Sequence, residues 1–311
     1  MNDSAMNDSA MKNRAVSNRA AHDRGITGHT RIVGLLGGDV RYSLSLRLHN
    51  EAFESLGLDW VYLPLPVRSG EEIRLVEAIR GMRAMGFVGA NVTMPFKESV
   101  IPHLDEITPS AARIGAVNTI RIDSTGRLIG GNTDAAGFIS DLSANEVTLP
   151  GRPVVILGAG GAARAVAFGL AERQCGPMII ANRTPQRAER LREELARHFP
   201  DQEVTVTPWP LRADNIDPGA LIVNCTPVGM HNVRTPTGAD SPWPVRFTPD
   251  QVVVDLVYAP LVTPMLAAAR ADGARALTGL GMLVQQAALS FAWWTDEAPP
   301  VREMRAALEE S

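Results

Sequence analysis

At 311 residues the chain is long for a single hydrophobic core and comfortable for two domains of ordinary size. Hydrophobic residues make up 45% and charged residues 21%, an ordinary soluble globular composition, and the formal net charge of −4 gives no reason to expect nucleic acid or an anionic membrane surface as a partner. The two cysteines, Cys175 and Cys225, lie in separate apolar stretches. They make neither a disulfide framework nor a metal-ligand spacing, so no metal is expected and a reducing cytoplasm is the default. No apolar run approaches the ~18 residues of a membrane span.

The pentapeptide Met1–Ala5 repeats as Met6–Ala10, and Asn-Arg-Ala occurs twice soon after. Up to about Thr30 the chain is small, polar and aperiodic and lacks the apolar region of a signal peptide, so residues 1–30 read as a disordered extension. Arg31–Leu36 is then a short apolar run closed by Gly37 and Gly38, a buried strand. Leu46–Leu56 has helical spacing and Trp60–Leu65 reads as the next strand. Ser69 with Glu72 is a capping-box signature, opening a helix with Leu75, Ile79 and Met82 on one face and Gly86 at its end. Phe87–Val92 is again strand-like. This alternation predicts a parallel-type sheet with helices packed on it.

A second unit begins at the strand Arg152–Leu157, followed by a small-residue helix over Ala162–Ala171 and a strand over Met178–Ala181. Thr184 is expected to cap a charged helix with Pro185 in its first position. Strands fit at Glu203–Val206, Ala220–Val223 and Val252–Leu256, and Gly279–Trp294 is a long apolar helix. The fold class is α/β: an N-terminal α/β domain over residues 31–131, completed by C-terminal helices 279–311, and a Rossmann-like domain over 132–278. They join near Gly131–Asp134, with a cleft between them and hinges expected near Gly130–Thr133 and Thr278–Gly281.

Gly158, Ala159, Gly160, Gly161 and Ala162 stand directly between a strand and a helix, the context in which a glycine pattern reads as a dinucleotide loop rather than an ordinary βα turn. The glycines permit a tight turn and close approach of a pyrophosphate, and the helix start supplies N–H donors and positive dipole character. At the end of the next strand, where an NAD site places an acid, the chain reads Asn182, Arg183, Thr184, Pro185, Gln186, Arg187, with no acid until Glu189. Two guanidiniums there suit a 2′-phosphate, so NADP(H) is the expected cofactor. Arg187 reads almost equally well as a solvated helix charge.

Three polar turns carry the remaining signal: Asn91–Lys97, Gly115–Thr119 and Gly131–Asp134. In a parallel sheet, ligands sit at the carboxyl ends of strands. Each turn alone has a plainer reading. Asn and Thr cap helices, Asp134 suits a helix first turn, and Lys97 suits a solvated surface. Together with Ser43-Leu44-Ser45, His49-Asn50, the segment Gly131–Phe138, Asp255–Tyr258, Thr263-Pro264 and Gly279–Ala288, they occur in an order that closely resembles the shikimate dehydrogenases. The resemblance covers nearly all of the chain from about Ile32 to Thr295.

That resemblance implies an NADP-dependent oxidoreductase converting 3-dehydroshikimate to shikimate, with Lys97 and Asp134 as the catalytic pair. It implies that Ser43 and Ser45 hold the substrate carboxylate, with Tyr258 nearby, and that Thr93, Asn118, Asp134 and Gln286 bind the ring hydroxyls. Gly158–Ala162 and Asn182–Arg187 match the cofactor loops, and Leu256, Gly279 and Met282 match positions lining the nicotinamide. The expected partner is a small molecule, with no nucleic acid or membrane, for a monomer or homodimer. Departures from the family pattern fall before and after the serines, where Asp39, Tyr42 and Leu46 replace a proline, a histidine and a proline. They keep open a paralogue acting on quinate or an amino-shikimate. A non-catalytic NADPH sensor is the reading from another class, and retention of Lys97, Asp134, Asn118 and Gln286 together argues against it.

Overall fold

The computed structural model describes residues 25–68, 72–211, 216–230, 233, 243 and 246–309. Most of the expected N-terminal extension, and the capping residue Ser69, lie outside these. The last residues of that extension are fastened to the fold: the hydroxyls of Thr27 and Thr30 donate to the Asp59 carboxylate at 3.0 and 2.6 Å. The boundary at Thr30 is therefore too late by a few residues, because a threonine turn meets a carboxylate that the sequence gives no sign of placing there.

The first sheet contains β1 (Arg31–Gly37), β2 (Trp60–Pro66), β3 (Gly89–Val92), β4 (Glu106–Ile107), β5 (Thr119–Ile122) and β6 (Leu128–Gly131), in the order β2-β1-β3-β5-β6-β4. Strand β1 pairs parallel with β2 and β3, the part that the strand–helix alternation foresaw. Helix α1 (Ser45–Ser55) follows β1, and α2 (Glu72–Ala84) follows β2, burying Leu75, Ile79 and Met82 as its periodicity requires. The other half of the sheet departs from that pattern, since β5 runs antiparallel to both β3 and β6. No helix separates β5 from β6. Asp123 closes the turn between them, accepting from the Thr125 and Arg127 amides at 2.8 and 2.9 Å, and Gly126 supplies its positive φ of 82°.

Helix α3 (Pro109–Ile114) precedes β5, and α4 (Asp134–Ala144) carries the chain out of the first sheet. The second sheet then forms from β7 (Val154–Leu157), β8 (Met178–Asn182), β9 (Val204–Pro208), β10 (Leu221–Asn224), β11 (Val252–Asp255) and β12 (Arg275–Thr278). Its order is β12-β11-β10-β7-β8-β9 and every pairing is parallel. Renumbered within the sheet this is 3-2-1-4-5-6 read from the opposite edge, the doubly wound arrangement that opens a ligand crevice where the winding reverses, between β7 and β10. Strands β7, β10 and β11 are buried throughout, which is why they read as continuous apolar runs. Helices α5 (Gly161–Glu172), α6 (Pro185–His198) and α7 (Pro264–Ala271) cover it. Thr184 precedes α6, but its side chain makes no capping bond. Asn182 instead donates to the Thr184 carbonyl at 2.8 Å and shapes that turn.

The chain passes between the sheets twice. It leaves β6 at Gly131 and enters α4, whose Phe138, Ile139 and Leu142 join the core under the second sheet. It returns after β12 through α8 (Leu280–Thr295), whose Leu283, Val284, Ala287 and Phe291 pack on Val33 and Leu35 of the first sheet, followed by α9 (Val301–Glu309). Helices α4 and α8 cross closely at Gly137, where an added Cβ would stand 2.7 Å from the backbone nitrogen of Gln286. The crossing brings the start of α4 against the middle of α8.

Candidate active site

Strand β3 ends in Asn91 and Val92, and the turn after it delivers Lys97 towards the start of α4. Lys97 Nζ lies 2.5 Å from Asp134 Oδ2. The other carboxylate oxygen, Oδ1, accepts from Asn118 Nδ2 at 2.8 Å. Asp134 is the first residue of α4, where the helix dipole favours negative charge. The lysine and aspartate side chains are only 15% and 5% exposed, so the two charges are held together out of water, each with its partner fixed. The backbone repeats this coupling, since the Val117 amide donates to the Lys97 carbonyl at 2.8 Å and the Asn118 amide to that of Gly131 at 3.0 Å.

Behind the pair lies a buried polar network in which the sequence analysis gave a role to Asn118 alone. Asn91 Nδ2 donates to the hydroxyls of Thr119 and Ser290, both at 3.0 Å, and its Oδ1 accepts from the Tyr62 hydroxyl at 2.9 Å. Asn118 Nδ2 also reaches Thr133 Oγ1 at 2.8 Å, and its Oδ1 accepts from the Thr133 amide at 2.8 Å. A network this complete fixes side-chain directions as well as contacts. One signal was available: Gln286 and Ser290 are polar residues four apart on an otherwise apolar helix, hence on one face.

A cleft of about 150 Å³ opens in front of Lys97 and Asp134. Ser43, Ser45, Thr93, Asn118, Tyr258 and Gln286 all line it, as do Ala162, Leu256, Gly279 and Met282. The remaining wall includes Leu35, Asn91, Val92 and Leu283, absent from the sequence-based candidates. Tyr258 shares a hydrogen bond with Ser43, while burial pushes its hydroxyl above the usual tyrosine range. Two of the residues that depart from the family pattern, Asp39 and Tyr42, meet Arg41 at the surface. Arg41 pairs with Asp39 at 3.1 Å and lies over the Tyr42 ring at 5.5 Å, Tyr42 being 71% exposed. Arg47 is exposed as well.

The phosphate-binding candidates sit beside this cleft, at the carboxyl ends of β7 and β8. Gly158 has φ 112°, a conformation that requires glycine. Gly160 precedes α5 without a side-chain cap, and a Cβ there would meet nothing within 4 Å. Ala159 is buried beneath them. Uncapped helix N–H groups with an open approach suit a pyrophosphate, and the exposed guanidiniums of Arg183 and Arg187 on the next turn suit a further phosphate, so these residues fit a phosphorylated dinucleotide. Arg187, still more than half exposed, also pairs with Glu98 at 3.3 Å. Gly161 does something different. A Cβ on it would stand 2.9 Å from that of Lys97, so the lysine stem runs directly over the glycine loop.

Asp255, at the end of β11, holds the wall that carries Leu256 and Tyr258. It is fully buried and accepts from Asn224 Nδ2 at 2.9 Å, the Val257 amide at 3.0 Å and the Thr263 hydroxyl at 2.6 Å. Burial nevertheless pushes its carboxyl up to about 6 from an ordinary 3.8. Between those values the folded state binds more protons than the unfolded chain, so this group makes stability fall as pH rises. The unfolding free energy of the wild type, minus that of Asp255→Asn, should therefore drop by on the order of 2 kcal/mol between pH 4 and 6 and level off above. Urea melts across that range check it, and a flat difference would remove Asp255 as the source.

Comparison with known proteins gives the family. The family described as shikimate dehydrogenase substrate binding domain matches residues 35–120, shikimate / quinate 5-dehydrogenase matches 141–213, and shikimate 5'-dehydrogenase C-terminal domain matches 279–309. A shikimate dehydrogenase (NADP(+)) of Salinibacter ruber is 45% identical over 275 residues, covering 87% of this chain and 94% of that protein. A crystal structure of a shikimate dehydrogenase in complex with NADP+ superposes with a TM-score of 0.81 at 39% identity, covering 92% of this chain and 97% of that one. The shikimate 5-dehydrogenase of Thermus thermophilus, in complex with NADP(H) and shikimate, gives 0.74 at 38% identity, covering 90% and 99%. With identity, coverage and fold in agreement over both sheets, the chain belongs to the shikimate dehydrogenase family.

Proposed function

We propose that this protein is an NADP-dependent shikimate dehydrogenase of aromatic amino-acid biosynthesis, acting in the cytoplasm as a monomer or homodimer, with Lys97 and Asp134 as its catalytic pair. The buried Lys97–Asp134 contact at the mouth of the cleft is the observation that carries this reading. Reducing the ketone of 3-dehydroshikimate leaves negative charge on its oxygen. The Lys97 ammonium stabilises that charge and gives up a proton, and in the reverse direction the same amine accepts the alcohol proton. Asp134 holds the amine in place, and Asn118 holds Asp134. Ser43, Ser45 and Tyr258 seat the carboxylate, and Thr93, Asn118 and Gln286 the ring hydroxyls. The cofactor supplies hydride exchange at the carbinol carbon. Gly158–Ala162 and Asn182, Arg183, Thr184 and Arg187 hold its phosphates, with Leu256, Gly279 and Met282 around the nicotinamide.

Initial rates with shikimate or quinate, each with NADP⁺ or NAD⁺, test the proposal. Strong turnover is expected only with shikimate and NADP⁺. Quinate turnover would move the protein to the paralogue reading, which Asp39, Tyr42 and Leu46 keep open. No turnover from folded protein that still binds NADPH would favour the sensor. In the same assay Arg183→Ala should raise KM for NADP⁺ roughly tenfold, the worth of one charge-assisted phosphate contact, with KM for NAD⁺ unchanged. Equal effects on both cofactors would remove Arg183 from 2′-phosphate recognition.

A further inference from the structure

We infer that Arg164 is a positioning residue that fixes the Asn118 turn, and through it Lys97 and Asp134, against the cofactor-binding helix; this rests on the reading of Lys97 and Asp134 as the catalytic pair. Arg164 stands one turn into α5, three residues after Gly161 and on the same face. It is 8% exposed, a burial that a guanidinium tolerates only with partners. Its Nε donates at 2.7 Å to the carbonyl of Ile114, the last residue of α3, and its other arm pairs with Glu194 of α6. The contact therefore runs from the second sheet's helices to a turn belonging to the first.

That turn is built around the guanidinium. Gly115 has φ 68°, and a Cβ on it would collide with the Arg164 side chain, so glycine serves both the backbone and the space. The next residues are gripped from the opposite side. The Ala116 carbonyl accepts from Asn132 Nδ2 at 2.9 Å, the Val117 amide donates to the Lys97 carbonyl at 2.8 Å, and Asn118 holds Asp134. Arg164 thus fixes one end of a five-residue turn whose other end positions both reacting groups. The same face of α5 touches the Lys97 stem at Gly161, so one helical turn sets the register of lysine, asparagine and glycine loop together.

The test is Arg164→Lys, which keeps the charge but cannot hold Ile114 and Glu194 at once. A displacement approaching 1 Å at the reacting groups should lower kcat about tenfold to a hundredfold, with KM for NADP⁺ changed less than about threefold. In protein without substrate or cofactor, the Asn118 side-chain amide resonances should shift as well. A lower Tm with wild-type kcat and unmoved Asn118 resonances would mean a merely structural role and overturn the inference. If Arg164→Lys does not fold, Glu194→Gln keeps the Ile114 bond and loosens the other anchor. It should give a smaller kcat loss with the same resonances displaced, and wild-type behaviour in both would again overturn the inference. If the wild type itself turned over no shikimate, the functional reading would fail, while the ligand-free resonance shift would still decide the role of Arg164.

Discussion

Lys97→Ala is expected to lower kcat by ~10³-fold, within the range typical of general acid–base groups, and to leave NADPH affinity within about twofold. The argument is local. The lysine amine is held by Asp134 Oδ2, at 2.5 Å, and the cleft opens in front of both, where the proposed mechanism seats the ketone oxygen. Truncation removes the proton donor and the positive charge together. It takes no hydrogen-bonding group away from the glycine loop, because the contact between Lys97 and Gly161 is made by the aliphatic stem. Asp134→Asn should lose a comparable factor, and the double variant little more than either, since two groups that act as a unit are not additive. Steady-state rates and a fluorescence titration with NADPH distinguish the outcomes. Collapse of NADPH affinity alongside turnover would assign Lys97 to cofactor binding or to the fold.

Much of this was legible from residue pattern. The second sheet was the easiest part, because strands buried on both faces announce themselves as runs such as Val154–Leu157 and Val252–Asp255. The antiparallel half of the first sheet was harder, since Thr119–Ile122 and Leu128–Gly131 are four residues each and lack an intervening helix. Their turn residues, Asp123 and Gly126, were the available clue. Within the site, the motifs gave roles to the residues facing the cleft but none to those behind it. Asn91, Thr119, Thr133 and Ser290 are small polar groups whose meaning lies in mutual distances near 3 Å, arising from strands and a helix up to 199 positions apart. Arg164 was invisible for the same reason. A cation one turn into a helix reads as solvated until the Ile114 carbonyl is found against it.

Gly137 shows how a glycine inside a motif acquires a physical reason, and it yields the second large effect. In the interior of α4, Gly→Ala should normally stabilise the helix by up to ~1 kcal/mol. Here the added methyl would stand 2.7 Å from both the backbone nitrogen and the Cβ of Gln286, and 2.8 Å from its Cα. These atoms belong to α8 and cannot swing aside as a side-chain tip would, so the two helices must move apart. Overpacking of this kind typically costs ~1–3 kcal/mol, and Gly137→Ala should reverse the expected sign and lower stability by about 2 kcal/mol. The separation acts on chemistry as well, because Asp134 begins α4 and Gln286 lines the cleft from α8. A shift approaching 1 Å between them should reduce kcat/KM by about a hundredfold. Ser140→Ala, on the exposed side of the same helix, should leave kcat/KM at the wild-type value and serves as the control. A Gly137→Ala enzyme that melted higher than the wild type and turned over normally would show that α4 and α8 do not need this close approach, and the positioning of Asp134 against Gln286 would have to come from elsewhere.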